Sequence, residues 1–217
     1  MALIIDIETA AQTALPYNSD DHTPPSNYGP DAAAKWHDKN RAAVAKAAAL
    51  NPRTGRIVAI GLYNDLEPDR QLREVCHVAG SDTSEADIIG AAMQEMYANA
   101  PLVTFNGLSF DLPYLHVRAA ILGLRIPYPV GAMLRRYSTT HHIDLMAILS
   151  NWDRAAKGDT LHGWCRAFGI PVADDTKGAD IAAMVERGDY EGVAAHCLSD
   201  IRLTAALYTR CLTSHLF

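Results

Sequence analysis

The chain has 217 residues, of which 49% are hydrophobic and 20% are charged, and its formal net charge at pH 7 is −6. This length is enough to bury the core of one α/β domain, and the composition excludes wholesale disorder. The acidic balance argues against binding nucleic acid through a broad basic face, but it is compatible with a nuclease that binds cations through a cluster of acids.

Membrane and secretory signals are missing from the sequence. No apolar run approaches the roughly 20 residues that a membrane span needs, and the start MALIIDIET lacks the basic region and cleavage site of a signal peptide. We therefore expect a cytoplasmic protein with no membrane association. Four cysteines without C-x-x-C spacing are expected to be reduced and buried: Cys76, Cys165, Cys197 and Cys211.

The first half of the chain predicts strands separated by a long insert. Residues 2–7 predict a first strand, and GRIVAIGLYN at 55–64 predicts a second. The insert, at about 10–54, contains a loop rich in Pro, Ser, Asn and Asp followed by an alanine-rich helix at 31–50, for which Asp31 is the expected N-cap. REVCHVA at 73–79 predicts a third strand, and apolar spacing predicts a helix at 82–100.

The second half predicts two short strands and several helices. PLVTFN at 101–106 predicts a strand that ends before Gly107, and residues 111–124 predict a helix. HHIDLMAIL at 141–149 predicts a short strand that runs into a helix, and further helices are predicted at 159–171 and 189–212. Together these elements predict a single α/β domain over residues 1–217, with a mixed sheet flanked by helices.

The segment LIIDIET at 3–9 places two acids at the end of an apolar strand. Side chains two residues apart in a strand share one face, so Asp6 and Glu8 point the same way while Ile7 points to the other side. Two like charges this close repel each other unless a cation lies between them. An exposed edge strand with two solvated acids is the alternative.

Two further segments carry acids. In TFNGLSFDLPYL at 104–115, Asn106 and Gly107 follow a strand and Asp111 lies at the start of a helix, where ordinary capping also explains an acid. In HCLSD at 196–200, His196 and Asp200 are four residues apart and share a helix face, a pattern that solvated helices also show.

The three segments are more informative together than apart. They can bring four carboxylates to one edge of the sheet, and such a group requires divalent cations. Mg²⁺ and Mn²⁺ prefer oxygen ligands, and two such ions can stabilise the attacking and leaving oxygens of a phosphoryl displacement. The four acids are Asp6, Glu8, Asp111 and Asp200.

The segments DIET, FNGLSFDLPYL and HCLSDIRLT resemble the three exonuclease motifs of the DEDD superfamily of 3′–5′ exonucleases, which has a ribonuclease H-like fold. The chain looks most like the proofreading domain of family-B DNA polymerases and its stand-alone relatives, from residue 3 to about residue 212. The resemblance implies that the four acids bind two Mg²⁺ or Mn²⁺ ions. It also implies hydrolysis of single-stranded or frayed DNA from the 3′ end. Whether the protein has a polymerase or a replication or repair protein as a partner is left open.

One residue departs from that branch of the superfamily. His196 stands four residues before Asp200, where the polymerase-like branch has tyrosine, and another branch has histidine five residues before its acid. A neutral His196 can accept a proton from the attacking water. The alternative is a histidine that only forms a hydrogen bond beside the site.

Several other residues are candidates for substrate contact. A glycine allows close approach of a backbone, an amide can bind phosphate or sugar, and an aromatic ring can stack on a base, although turn chemistry and core packing explain the same residues. These candidates are Thr9, Asn106, Gly107 and Phe110. Basic candidates for phosphate contact are Arg53, Arg56, Arg118, Arg125, Arg135, Arg136 and Lys177.

Three alternatives remain open at the level of the sequence. His141, His142 and Asp144 suggest zinc, but they lack the spacing of a complete ligand set, which disfavours that interpretation. An exoribonuclease or oligonucleotide-degrading enzyme on the same scaffold is the nearest alternative activity. A non-catalytic nucleic-acid-binding module is the alternative of another class.

Overall fold

The computed structural model describes residues 2–12, 22–64, 73–80, 82–98, 101–128, 130–152, 160–173 and 178–216. The strands are β1 (Leu3–Ala11), β2 (Gly55–Asn64), β3 (Arg73–Val78), β4 (Leu102–Thr104) and β5 (His142–Asp144). The helices are α1 (Pro30–Ala48), α2 (Glu85–Ala98), α3 (Asp111–Ile121), α4 (Val130–Met133), α5 (Leu145–Leu149), α6 (Leu161–Ala167), α7 (Ile181–Glu186) and α8 (Tyr190–Thr213).

The described strands form one mixed sheet in the order β3-β2-β1-β4-β5. The first three strands of the chain pair antiparallel, whereas β4 and β5 run parallel to β1. The carboxyl ends of β1, β4 and β5 therefore meet at the same edge of the sheet. The pairing between β1 and β4 ends at Ile4 and Val103, so the second half of β1 extends beyond its parallel neighbour.

Strand β1 separates two cores. Ile5 and Ile7 lie on the face that packs with α2 and α3, whereas Ile4 lies on the face that packs with α6 and α8. Because side chains alternate along a strand, Asp6 and Glu8 continue the face of Ile4. The two acids therefore point towards α8. Most residues of β1, including Glu8, are buried.

The predicted elements and the mixed α/β architecture are confirmed, although several elements differ in extent; the predicted strand at 101–106, for example, is only Leu102–Thr104. Strand β1 extends to Ala11, and the short helices α4 and α7 escaped prediction because too few residues show helical periodicity. The prediction of Asp31 as N-cap was wrong. Helix α1 is capped by Gly29 and has proline in its first turn, since a fixed φ and a missing N–H suit that position.

Parts of several sequence predictions lie outside the described residues. These are residues 13–21 of the predicted loop, residues 99–100 and 159 at the ends of two predicted helices, and Lys177. Among the helices that the structure describes, none combines the length and the apolar character that crossing a membrane requires.

A buried ion pair fixes α3 against α2 and β2. The guanidinium of Arg118 donates to Glu85 from Nε to Oε1 at 2.8 Å and from Nη2 to Oε2 at 2.5 Å. It also donates to the carbonyl of Pro52, and Glu85 accepts from the amide of Ile57. Because these side chains are only 4% and 10% exposed, Arg118 is engaged inside the fold and is not free to contact phosphate as the sequence suggested.

We expect Arg118→Ala to lower the free energy of unfolding by about 3–5 kcal/mol, because it leaves the Glu85 carboxylate buried without its partner. Arg202→Ala is the matched control. It removes an ion pair with Glu74 in which the arginine is 58% exposed, and it should cost less than about 1 kcal/mol. Urea denaturation of the three proteins measures both changes, and equal losses for the two variants would contradict the assignment.

Candidate active site

Two of the predicted acids lie side by side in the part of β1 that extends beyond its pairing with β4, which we call the open end of β1. Ligand atoms of Asp6, Glu8 and Cys197 all lie within 4.8 Å of one another, with Cys197 contributed by α8. The thiol of Cys197 is 3.9 Å from Asp6 Oδ2. The shared face of Asp6 and Glu8 follows from strand periodicity, whereas the proximity of Cys197 depends on how α8 packs across the sheet.

Asp111 contacts the same strand from the start of α3. It is the first residue of α3, it is 3% exposed, and its Oδ1 accepts a hydrogen bond of 3.2 Å from the amide of Ile7. This amide lies past the point at which pairing with β4 ends, so a side chain takes the place of a strand partner. The N-terminus of α3 also favours a negative charge at this position.

Helix α8 supplies His196 and Asp200. The Nε2 atom of His196 lies 3.5 Å from Glu8 Oε1, and the histidine is 5% exposed. Asp200 Oδ1 lies 3.4 Å from Nε2 of His162, which belongs to α6. The sequence analysis missed His162, and no local pattern could have identified it, because its contact with Asp200 arises only from the packing of α6 on α8.

The four acids act electrostatically as one site. Burial raises the pKa of Asp6 well above its usual value, and the negative charges of Asp111, Glu8 and Asp200 raise it further. Burial also raises the pKa of Asp111 to about 7, against the opposing effect of hydrogen bonds from backbone amides. The site therefore concentrates more negative charge than it can hold without compensation.

This environment fits a divalent cation. A cation would replace the repulsion among the carboxylates with attraction, and carboxylate oxygens are the ligands that Mg²⁺ and Mn²⁺ prefer. The carboxylates of Asp6 and Glu8 could hold such an ion, and Asp111 and Asp200 contribute to the same negative potential.

The turn before Asp111 is held by residues on two strands. Asn106 has a φ of 69°, and its amide donates to Asp144 Oδ1 at 3.0 Å, while the amide of Leu108 donates to Oδ2 at 2.9 Å. A Cβ atom on Gly107 would lie 2.2 Å from Thr104 Oγ1, so the close approach of that side chain requires glycine. Asp144, at the end of β5, thus fixes the turn that leads to Asp111, a function that the sequence analysis did not assign.

The other predicted substrate contacts lie around the same strand. Thr9 is buried and lies near the hydroxyl of Tyr114, which donates to the carbonyl of Ala49 at 2.9 Å. Phe110 packs against the core, with its ring centroid 5.4 Å from that of Tyr114. Asn106 and Gly107 lie in the turn described above. The roles of these four residues in substrate binding remain predictions.

His142 uses both ring nitrogens in hydrogen bonds. Nε2 pairs with Thr104 Oγ1 at 2.8 Å, and Nδ1 pairs with the carbonyl of Met133 at 3.0 Å. Asp144 in turn accepts from backbone amides. These partners explain the two residues without zinc, in agreement with the incomplete ligand spacing in the sequence.

Residues 50–215 match the model of a family described as "Predicted 3'-5' exonuclease related to the exonuclease domain of PolB". The chain belongs to this family. The resemblance to the exonuclease domain of family-B DNA polymerases is therefore confirmed. Because the match begins at residue 50, it contains Asp111, His196 and Asp200, whereas Asp6 and Glu8 precede it.

The fold of this exonuclease family member is also similar to a solved structure. That structure is the family B DNA polymerase from the hyperthermophilic archaeon Pyrobaculum calidifontis, with a TM-score of 0.60 and 17% sequence identity. The similarity covers 97% of this chain and 24% of the polymerase chain. It shows a shared ribonuclease H-like α/β fold. No curated protein sequence matches the chain.

The raised pKa of Asp111 predicts how stability depends on pH when metal is chelated. The carboxyl titrates near its reference pKa of 3.8 when unfolded but near 7 when folded, so between these values the folded state holds a proton that the unfolded state has released. This contribution to stability is present in full below about pH 4 and is lost as the pH rises through 7. In EDTA, we expect the melting temperature to fall across this range.

Asp111→Asn should reduce that slope, because its amide oxygen can still accept from the Ile7 amide but does not ionise. Asp38→Asn, at an exposed position on α1, is the control and should leave the slope unchanged. Melting temperatures measured in EDTA between pH 4 and 7.5 provide the comparison. A slope in Asp111→Asn equal to that of the parent protein would contradict this account.

Proposed function

We propose that this protein is a metal-dependent 3′–5′ exonuclease that hydrolyses the terminal phosphodiester bond of single-stranded or frayed DNA and releases nucleoside monophosphates. The observation that carries the proposal is the electrostatic coupling of Asp6 to Glu8, Asp111 and Asp200, which come from one strand and two helices. Membership of the exonuclease family supports the class of reaction. The similarity of the fold to a DNA polymerase favours DNA.

The four acids would hold two Mg²⁺ or Mn²⁺ ions. When bound, these ions would supply charge stabilisation for the attacking and leaving oxygens. The arrangement of the protein groups supports this assignment, because burial and mutual repulsion raise the pKa of Asp6 and burial raises that of Asp111. A non-catalytic binding module would gain nothing from such a costly cluster.

His196 is the proposed proton acceptor. Its ring is buried beside Glu8, with Nε2 3.5 Å from Oε1, so the carboxylate can orient the imidazole towards the site. A neutral imidazole accepts the proton that the attacking water loses. His162, next to Asp200, is a second imidazole at the rim of the same cluster, and we propose that it positions the Asp200 carboxylate.

The turn at Asn106 and Gly107 would approach the terminal nucleotide. Its backbone is fixed by Asp144 and Thr104, which leaves the Asn106 side chain available to bind a phosphate or sugar oxygen. A rigid turn next to Asp111 would hold the terminal phosphate at a constant position relative to the acids. Such positioning is a large part of catalysis, because it removes the entropy cost of aligning the reacting groups.

The central test is digestion of 5′-labelled oligonucleotides with Mg²⁺ or Mn²⁺. We expect a ladder that shortens from the 3′ end, and we expect immediate release of mononucleotide when the label is at the 3′ end. Asp6→Asn, Glu8→Gln, Asp111→Asn and Asp200→Asn should each lower kcat by about 10³-fold, since each weakens the hold on a cation that supplies several kcal/mol. Asp38→Asn, on the exposed surface of α1, should retain full activity.

Matched DNA and RNA oligomers in the same assay establish the strand preference. EDTA should abolish hydrolysis, and a divalent cation should raise the melting temperature because it binds the folded state. If EDTA changed neither activity nor melting temperature, the metal-dependent mechanism would be wrong. Preferential digestion of RNA would replace DNA as the substrate and leave the mechanism intact.

Substitution of His196 separates catalysis from structure. His196→Phe keeps a ring in the buried position but removes both nitrogens, so kcat should fall by about 10²–10⁴-fold. His196→Tyr introduces the residue of the polymerase-like branch at the same spacing and should retain most of the activity. A phenylalanine variant as active as the parent would show that His196 only packs beside Glu8.

A further inference from the structure

A group of aromatic and basic side chains lies on the surface near the end of α5. Tyr137 is 73% exposed, the highest value among the large hydrophobic residues of the described chain. The centroid of its ring is 5.1 Å from that of Trp152, with an interplanar angle of 46°. The guanidinium of Arg136 lies 5.6 Å from the centre of the Tyr137 ring and donates to the carbonyl of Trp152 at 3.3 Å.

The backbone beneath these rings is strained. Tyr137, Asn151 and Trp152 have φ values of 58°, 51° and 61°. Asparagine tolerates this left-handed region, but for the two aromatic residues it costs about 1–2 kcal/mol each. Burial of apolar surface cannot compensate fully, because the Tyr137 ring remains exposed to solvent. Conformations of this kind concentrate at functional sites.

These residues are close to the candidate active site along the chain. Asp144 binds the amides of Asn106 and Leu108, and α5 begins at the next residue. Trp152 follows Asp144 by eight residues, and its amide donates to the carbonyl of Ala147 across the turn that ends α5. The rings therefore follow, by one short helix, the residue that fixes the turn before Asp111.

We propose that Tyr137, Trp152 and Arg136 form a base-stacking platform that binds a single strand of nucleic acid upstream of the bond to be hydrolysed. This proposal rests on the proposed function and adds a second binding site to it. Exposed rings stack on unpaired bases of any sequence, and an adjacent arginine contributes cation–π and phosphate contacts. In a protein with a net charge of −6, this local charge, with the exposed Arg135 beside it, is well suited to attract a phosphate backbone.

The experiment removes the exposed ring and compares it with a ring elsewhere. Tyr137→Ser deletes the stacking surface, Tyr137→Trp preserves one, and Tyr97→Ser removes a tyrosine on α2 that is 64% exposed. Binding of 5′-fluorescein 20-mers of thymidylate and of uridylate is measured by fluorescence anisotropy. All proteins carry Asp6→Asn so that the oligomer is not consumed. Melting temperatures verify that each variant is folded.

Tyr137→Ser should raise the Kd for a 20-mer about tenfold, whereas Tyr97→Ser and Tyr137→Trp should stay within about twofold of the parent. In the hydrolytically competent protein, Tyr137→Ser should raise the ratio of KM for a 20-mer to KM for a dinucleotide by a similar factor. An effect on both oligomers supports a platform that accepts either strand, and an effect on one of them identifies the strand chemistry that the platform accepts.

The outcomes distinguish the platform from the proposed function. Hydrolysis that is insensitive to Tyr137→Ser at every length would overturn the platform and leave the exonuclease proposal standing. If binding depended on Tyr137 but the parent protein hydrolysed no oligomer, the platform would stand and the exonuclease proposal would be overturned. A loss of binding equal to that of Tyr97→Ser would also overturn the platform, and a parent that neither binds nor hydrolyses any oligomer would overturn both.

Discussion

The mutual repulsion of acids at the open end of β1 is the constraint on which the rest of the structure depends. Asp6 lies near Glu8, Asp111 and Asp200, and all of these charges, together with burial, disfavour its ionised form. An exposed edge strand would allow such acids to point into water. Here Glu8 and Asp111 are instead less than 10% exposed, and the surrounding fold must offset the cost of keeping them there.

Several contacts hold Asp111 in place against that repulsion. The ion pair between Arg118 and Glu85 fixes α3 against α2, and the Asp144 carboxylate fixes the turn that precedes Asp111. Gly107 permits the close contact with Thr104 that shapes this turn. The ion pair and the contacts of Asp144 join segments that are distant in sequence, so we expect a change in either of them to move Asp111 relative to β1.

Helix α8 combines a packing role with a chemical one. Its apolar residues, such as Val193, Ile201 and Leu207, cover one face of the sheet. A Cβ atom on Gly61 would lie 2.8 Å from the sulfur of Cys197, so this glycine allows the helix to approach the sheet closely. The same approach carries His196 to Glu8. The apolar side of α8, which packs on the sheet, therefore also determines how closely His196 approaches Glu8.

The sequence by itself determined which residues share a face and the approximate positions of the strands and of the longer helices. Strand periodicity placed Asp6 and Glu8 together, helical spacing placed His196 and Asp200 on one side of α8, and Asp111 was recognised at a helix start. Tertiary structure alone brought His162 to Asp200, buried Arg118 against Glu85, and brought Tyr137 next to Trp152. The physical reason is that local sequence patterns encode the backbone conformation and the side of a strand or helix on which each side chain lies. Contacts between distant segments depend instead on how complementary surfaces pack, and no short stretch of sequence specifies that packing.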